Sequence, residues 1–351
     1  MKILPALLAA LCPLVAASSL HAQLTAVNPS YSAAPYFTHS SADSVVSYDW
    51  AVDGNIYYQT STSGFNFGGF YRDSGGTSTQ VVAGSSSLFS GASVVSIGQY
   101  VYYNNSNSSG TQNIFKYGPV GGAAVAALAS TTPNYGLYGN AGRLFITGTP
   151  DFVNNQIYYS NLGSNGSLLN NPATSLGSQP GSSGPLAFDR AGNLFYAPGY
   201  GNLSIYRFSA AEVGAAVANP AASPLNAAGH VFLDYGSLYD PNVYSGGTSM
   251  LLDQSGALLL TLTSFSDPSL LVRFGVAANG TYDGTHDTLF QDAGQLGELR
   301  LHDGGLYLSA GNQIFSIVPE PSSVWLLALA AGLVAALRRR AVGGKQSASM
   351  A

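Results

Sequence analysis

The sequence predicts an all-β fold, a six-bladed β-propeller, with an N-terminal signal peptide before it and a short C-terminal transmembrane helix after it. Three observations carry this. Glycine-anchored apolar strands recur through the chain at a nearly regular spacing. Only 8% of residues are charged, while Gly (42) and Tyr (22) are abundant, against about 25% charge in an average soluble domain. Two further apolar stretches stand apart from the repeat, one at each end.

Residues 1–22 read as a secretory signal peptide. Lys2 supplies the positive start, Ile3 to Ala17 is apolar, and "SSLHAQ" offers a cleavage site after Ala22. The run is short and broken by Pro5 and Pro13, which suits a signal better than an anchor. Export through the Sec translocon is therefore expected. Cys12 is the only cysteine and lies inside this segment, after Leu11 where a lipoprotein site needs a small residue. The mature chain is expected to carry no thiol, no disulfide and no cysteine metal site.

Residues 23–317 form the repeating body. Its anchor strands are "DGNIYY", "GQYVYY", "GRLFIT", "GNLFYA", "GALLLT" and "GGLYLS". The glycines before them stand at 54, 98, 142, 192, 256 and 305, spaced by 44, 44, 50, 64 and 49 residues. A second strand follows each anchor: "GFYRD", "NIFKYG", "QIYYSN", "SIYRFS", "LLVRFG" and "QIFSIV". A shorter apolar strand precedes most of them, as in "VVSYDWAV", "PLAFDR", "SMLLDQ" and "ELRLHD". Three or four short strands every 45–50 residues, with Gly or Asp-Gly turns, is the pattern of propeller blades. One small sheet cannot cover both of its faces, whereas radially stacked sheets cover one another and leave only short edges. The rival architectures are a β-sandwich and a β-helix; the latter needs a repeat of about twenty residues, which is not seen.

The last repeat ends at Ile317 with only three strands, and the segment Gln23 to Ser40 is otherwise unassigned. Ring closure predicts that part of this segment pairs with Gln313 to Ile317. The unit "PLAFDRAGNLFYAPGYGNLSIYRF" is similar to an NHL-type repeat, with Pro185, Asp189, Gly192, Asn193, Leu194, Ile205, Arg207 and Phe208 on that pattern.

The body holds Lys116 and six arginines against fourteen aspartates, Glu212 and Glu298. An acidic body without a basic stripe speaks against nucleic acid as a partner. Asp53, Asp189, Asp253 and Asp303 precede anchor glycines. They are read first as turn residues that bond their own backbone, and second as a rim of calcium ligands. His39, His230, His286 and His302 show no metal-ligand spacing. No nucleophile elbow, zinc-protease helix motif or P-loop occurs. The stretch "YYNNSNSSGTQN", from Tyr102 to Asn113, offers rings and amides for sugar contact, or is an ordinary polar hairpin loop.

Residues 318–341 differ from the body. Pro319, Glu320 and Pro321 precede a fourteen-residue uncharged run from Val324 to Leu337, then Arg338, Arg339 and Arg340. Counted from Ser322, a helix here would be about 24 Å long, short against a hydrocarbon core of about 30 Å. Trp325 and snorkelling arginines extend its reach. The arginines belong on the cytoplasmic side, which agrees with an exported body. Residues 342–351 complete the tail. The three parts in this order resemble the PEP-CTERM sorting signal of Gram-negative bacteria. That resemblance implies a substrate of exosortase, a membrane transpeptidase-like enzyme that recognises the Pro-Glu-Pro site. It also implies delivery to the cell envelope or extracellular matrix of a biofilm.

The function expected is that of a non-enzymatic exported scaffold or binding module without a cofactor, associated with exopolysaccharide. The alternative is a secreted calcium-dependent propeller hydrolase or lyase acting on polysaccharide or lactone, recognisable by carboxylates and amides clustered at the channel mouth.

Overall fold

The computed structural model describes residues 24–63, 65–107, 112–118, 125–128, 134–148, 154–264 and 266–320. Residues 1–22, expected to be a signal peptide, Pro321, the apolar run and Arg338–Arg340 lie outside the described residues. The strands form six antiparallel blades around one axis. Blades 1 and 2 share a single long strand, Thr77–Ile97, which is outermost in blade 1 and innermost in blade 2. Blade 3 runs from Gly136 to Pro180, blade 4 from Leu186 to Asp234 and blade 5 from Tyr244 to Asp292. In blade 6 the strands Leu296–His302, Gly305–Ala310 and Gln313–Pro319 are joined on the outside by Tyr31–Thr38.

Six apolar clusters fill the six gaps between neighbouring blades. Their bulk comes from the anchor strands: Tyr57, Tyr58, Tyr102, Tyr103, Phe145, Phe195 and Tyr196 are all buried. Successive residues such as Tyr57 and Tyr58 are both buried because each blade is covered on both faces. That is why the anchor strands read as continuous apolar runs and not as alternating ones.

The N-terminal segment closes the ring as the missing-strand argument requires. Tyr31 pairs with Pro319, Ala33 with Ile317 and Thr38 with Gln313. Phe37 enters the cluster between blades 6 and 1, and Tyr31 packs on the one between blades 5 and 6. Just before this, Thr25–Ala26 adds a fifth strand to the outer edge of blade 5. The first described residues therefore tie two blades together. The strand Gln313–Pro319 also runs two residues past Ile317, into the Pro-Glu-Pro motif.

The two faces of the ring differ in connection. One carries the tight hairpins between the first and second strands of each blade, and is here called the hairpin face. The other, the loop face, carries longer connections such as 181–185 and 235–243. Positive φ is needed in the hairpins. Gly54, Gly98, Gly142, Gly192 and Gly256 all have it, as the repeat predicted. The sixth turn departs from expectation. The residues with positive φ are Asp303 (47°) and Gly304 (80°), not Gly305, which already begins the strand. Two consecutive positive φ values make a two-residue turn matching strand twist, and Ala141-Gly142 does the same in blade 3.

Candidate functional site

Three places were candidates from the sequence: the sorting junction, the carboxylates near the axis and the aromatic, amide-rich loops. At the junction, Pro319 is the last residue of the strand Gln313–Pro319, and the Glu320 N–H donates to the Ser30 carbonyl at 2.7 Å. Pro319 tolerates this position because it sits at a strand end, where a missing N–H costs little. The motif thus starts on the ring ladder, on the hairpin face.

Near the axis, side chains of one inner strand bond the open edge of the next. Ser47 Oγ accepts from the Val94 N–H at 2.7 Å, and Asp49 Oδ2 from the Ser96 N–H at 2.8 Å. Ser93 Oγ donates to the Leu137 carbonyl at 2.9 Å, and Ser249 Oγ accepts from the Leu299 N–H at 2.9 Å. An inner edge without partners would expose a row of buried polar groups; this seam supplies them.

Arg300 is the centre of the seam. Its Nη1 donates to Glu298 Oε1 at 2.7 Å, its Nε to the Tyr48 carbonyl at 3.1 Å and its Nη2 to the Val94 carbonyl at 2.7 Å. Asp49 Oδ1 lies 3.8 Å from Nε. Glu298 also accepts from Ser47 Oγ at 3.1 Å and Ser249 Oγ at 2.8 Å. One guanidinium therefore joins blades 6, 1 and 2, and Glu298 adds blade 5. Burial pushes Glu298 and Asp49 above the usual carboxylate range, with Arg300 opposing it. The two carboxylates hold Arg300 above its ordinary value although burial pulls it down. The donors and acceptors of this network are spent on one another and on strand edges, which suits a strut. The channel-mouth calcium reading needed carboxylates gathered together. Among the described residues no group of three or more His, Cys, Asp or Glu is placed to hold a metal ion.

The sequence did not single out this network. The signal was present: Glu298 and Arg300 in "ELRLHD", and Ser47 and Asp49 in "SYD", are two apart and so share one side of an inner strand.

The four turn aspartates stay apart, in blades 1, 4, 5 and 6. Asp189 Oδ1 accepts from the Ala191 and Asn193 N–H groups, and Asp253 Oδ1 from those of Ser255 and Ala257. They act as turn residues, and Asp253 also pairs with Arg273 at 3.1 Å. His39 is buried with Nδ1 2.9 Å from the Tyr58 hydroxyl, and burial lowers its pKa. His302 stacks on Trp50 at 4.2 Å. His286 lies beside the Tyr282 hydroxyl. In the stretch from Tyr102 to Asn113, Tyr102 and Tyr103 are core residues and not sugar platforms, because both blade faces are covered; 108–111 lie outside the described residues.

His230 pairs with Glu212 at 2.7 Å, on a helix, Ala210–Ala218, inserted on the hairpin face of blade 4. Ser209 and His230 bring Glu212 down to about 2, and Glu212 raises His230 above its ordinary range. Glu212 therefore contributes stability above its unfolded value of about 4.5 and loses it as pH falls towards 2. His230 contributes fully below about 6.5 and loses it as pH rises through its raised folded value. The pair should help most between about pH 4.5 and 6.5, by a small amount because both groups meet solvent. His230→Gln should flatten the alkaline side of a plot of Tm against pH; parallel curves for both proteins would contradict the assignment.

Two surface clefts lie between blades of the described residues. One of about 370 Å³ lies between the helix and blade 3, lined by Arg143, Phe145, Val213 and Val217. The other, about 680 Å³, opens on the loop face between blades 4 and 5, lined by Tyr200, Asn202, Asp234, Asn242 and Tyr244. Tyr200 is well exposed there.

The tail decides the family of the sorting signal. Residues 318–340 match the PEP-CTERM protein-sorting motif. A PEP-CTERM tail implies an exported protein, held transiently at the membrane and processed by exosortase. No curated protein matches the chain. Among solved structures, a Trichoderma reesei carbohydrate-active enzyme of family AA12 is similar in fold, with 10% identity and a TM-score of 0.56; the match covers 84% of this chain and 98% of that one. A Thermus thermophilus putative oxidoreductase (glucose dehydrogenase) aligns at 13% identity and TM-score 0.54, over 82% and 100% of the two chains. A PQQ-bound aldose sugar dehydrogenase from Streptomyces coelicolor aligns at 10% and 0.52, over 85% and 98%. At these identities the likeness shows the propeller fold alone.

Proposed function

We propose that this chain is a non-enzymatic propeller, exported by its signal peptide, sorted by exosortase through Pro319–Pro321, and delivered to the envelope or extracellular matrix as a scaffold or binding module. The observation that carries the reading is the PEP-CTERM tail at 318–340 joined without a spacer to a closed ring. The axial charges are compatible with it, since Arg300, Glu298 and Asp49 bond one another and the strand edges. Exopolysaccharide is the proposed partner. Its contact is the loop-face cleft, where Tyr200 and Tyr244 offer rings and Asn202 and Asn242 offer amides.

Replacing Pro319, Glu320 and Pro321 by alanines tests the sorting step. Export should persist, and the protein should stay in the membrane fraction with Arg338–Arg340 still attached. Processing and release like the original would show that the motif is not the recognition element.

A further inference from the structure

The sorting motif begins inside the ring, and the N-terminal segment holds it there. The strand Gln313–Pro319 pairs on one side with Gly305–Ala310 and on the other with Tyr31–Thr38. The first pairing stops at Leu306 with Ile317. The second goes on through Ser32 with Val318 to Tyr31 with Pro319, and the Glu320 N–H then closes on the Ser30 carbonyl. Among the described residues, Val318, Pro319 and Glu320 are therefore laddered with the N-terminal segment alone.

That segment is itself fastened at one turn. Asn28 Oδ1 accepts from the Ser30 N–H at 2.8 Å, and the Asn28 carbonyl from the Tyr31 N–H at 3.2 Å. Asn28 Nδ2 donates to Asp287 Oδ2, on the outer strand of blade 5. The N–H groups of Val27 and Asn28 both donate to the Leu289 carbonyl, at 2.9 and 3.2 Å. Every polar group of Asn28 is thus used: two shape the turn and two bind it to blade 5. Asn28 to Tyr31 form a strap from blade 5 onto Pro319 and Glu320.

A peptide read as an extended chain offers its backbone groups to the reader. Here the Glu320 N–H is spent on Ser30, and Pro319 has no N–H to offer. Only Pro321, Ser322 and Ser323 lie between Glu320 and the apolar run, at most about 11 Å of chain. A strapped motif therefore has no free length on its N-terminal side. Strand ends open locally at low cost, and cleavage through such openings follows the population of the open form.

We infer that the strap Asn28–Tyr31 is a latch on the sorting motif. Exosortase reads Pro319–Pro321 in a frayed state, in which Glu320 has left Ser30 and Pro319 has left Tyr31, and Asn28 sets how often that state occurs. The inference rests on the reading of this motif as the recognition site of exosortase. It places the control of C-terminal processing at the other end of the body.

The full chain, with Cys12→Ser, is purified from cells without exosortase and mixed with detergent-solubilised membranes that contain it. Loss of Arg338–Arg340 is followed by intact mass. Asn28→Ala removes both side-chain bonds of the turn and leaves the closing strand in place; its Tm checks folding. It should speed the loss several-fold. His230→Gln, in blade 4 and away from the strap, should leave the rate unchanged. Ser32 and Val318 are directly opposite, one rung before the motif, at a separation that a disulfide spans. Ser32→Cys/Val318→Cys with its disulfide formed should be processed several-fold more slowly than the same protein reduced and alkylated. Equal rates for Asn28→Ala and the original, an equal acceleration by His230→Gln, or equal rates for the cross-linked and alkylated forms would overturn the inference. If the original and Asn28→Ala both keep Arg338–Arg340, the reading of the motif beneath it is refuted instead.

Discussion

Arg300→Met should lower the stability of the ring by about 3–5 kcal/mol, the range for removing one partner of a buried ion pair. The side chain's volume is roughly kept, so the loss is electrostatic and polar. Glu298 is left with two serine donors and no cation, and Asp49 keeps only the backbone N–H groups of Ser96 and Trp50. The carbonyls of Tyr48 and Val94 lose their guanidinium donors. A Tm fall on the order of 10 °C follows for a chain of this size. The double variant Glu298→Gln/Arg300→Met should recover part of the loss, because it removes a stranded charge. A single variant that unfolds like the original would show that the guanidinium does not join the blades.

Removing residues 24–38 should open the ring. The outer strand of blade 6 goes, and with it Tyr31 and Phe37 from two inter-blade clusters. The burial of Phe37 alone contributes about 1.5–3 kcal/mol, and the bared edge of Gln313–Pro319 becomes a template for another chain. Light scattering after size exclusion should find association in place of a single species. The register has its own test. Ala33 and Ile317 are directly opposite, and such pairs have Cα atoms about 4.5–5.5 Å apart, within the range for a disulfide. Ala33→Cys/Ile317→Cys, with the signal segment and its Cys12 absent, should cross-link within one chain and raise stability on the order of 4 kcal/mol. A slip of one residue would send the two thiols to opposite faces and leave them reduced.

The sequence revealed the parts of the fold that bury apolar bulk or need a special turn. The first three strands of most blades carry both signals, so their segments and the spacing of the glycines could be read directly. The outer strands could not. Thr174–Pro180 is "TSLGSQP" and Ala126–Leu128 is "AAL". Such strands have one solvent edge and few apolar contacts, and ladder hydrogen bonds hold them without a mark in composition. The long strand Thr77–Ile97 hid the border of blades 1 and 2, because its halves run on without a turn although Gly84 and Gly91 stand between them. The helix Ala210–Ala218 was missed although Ser209 and Glu212 form a capping box; it is too short and too alanine-rich to show a clear apolar face. The axial network was hidden for another reason. A charged residue in an inner strand looks like surface until the neighbouring blades are in place, and only ring closure brings Arg300 to Tyr48 and Val94. The closing strand itself was deduced from a shortage, since three strands do not complete a blade.

The measurement that tests the account most directly is the intact mass of this protein from cells with and without exosortase. With the enzyme, the account predicts a species that lacks residues 1–22 and ends near Pro319–Pro321, released from the membrane. Without it, the species should lack residues 1–22, keep Arg338–Arg340 and remain in the membrane fraction. The same mass and the same fraction in both cells would contradict sorting through this tail.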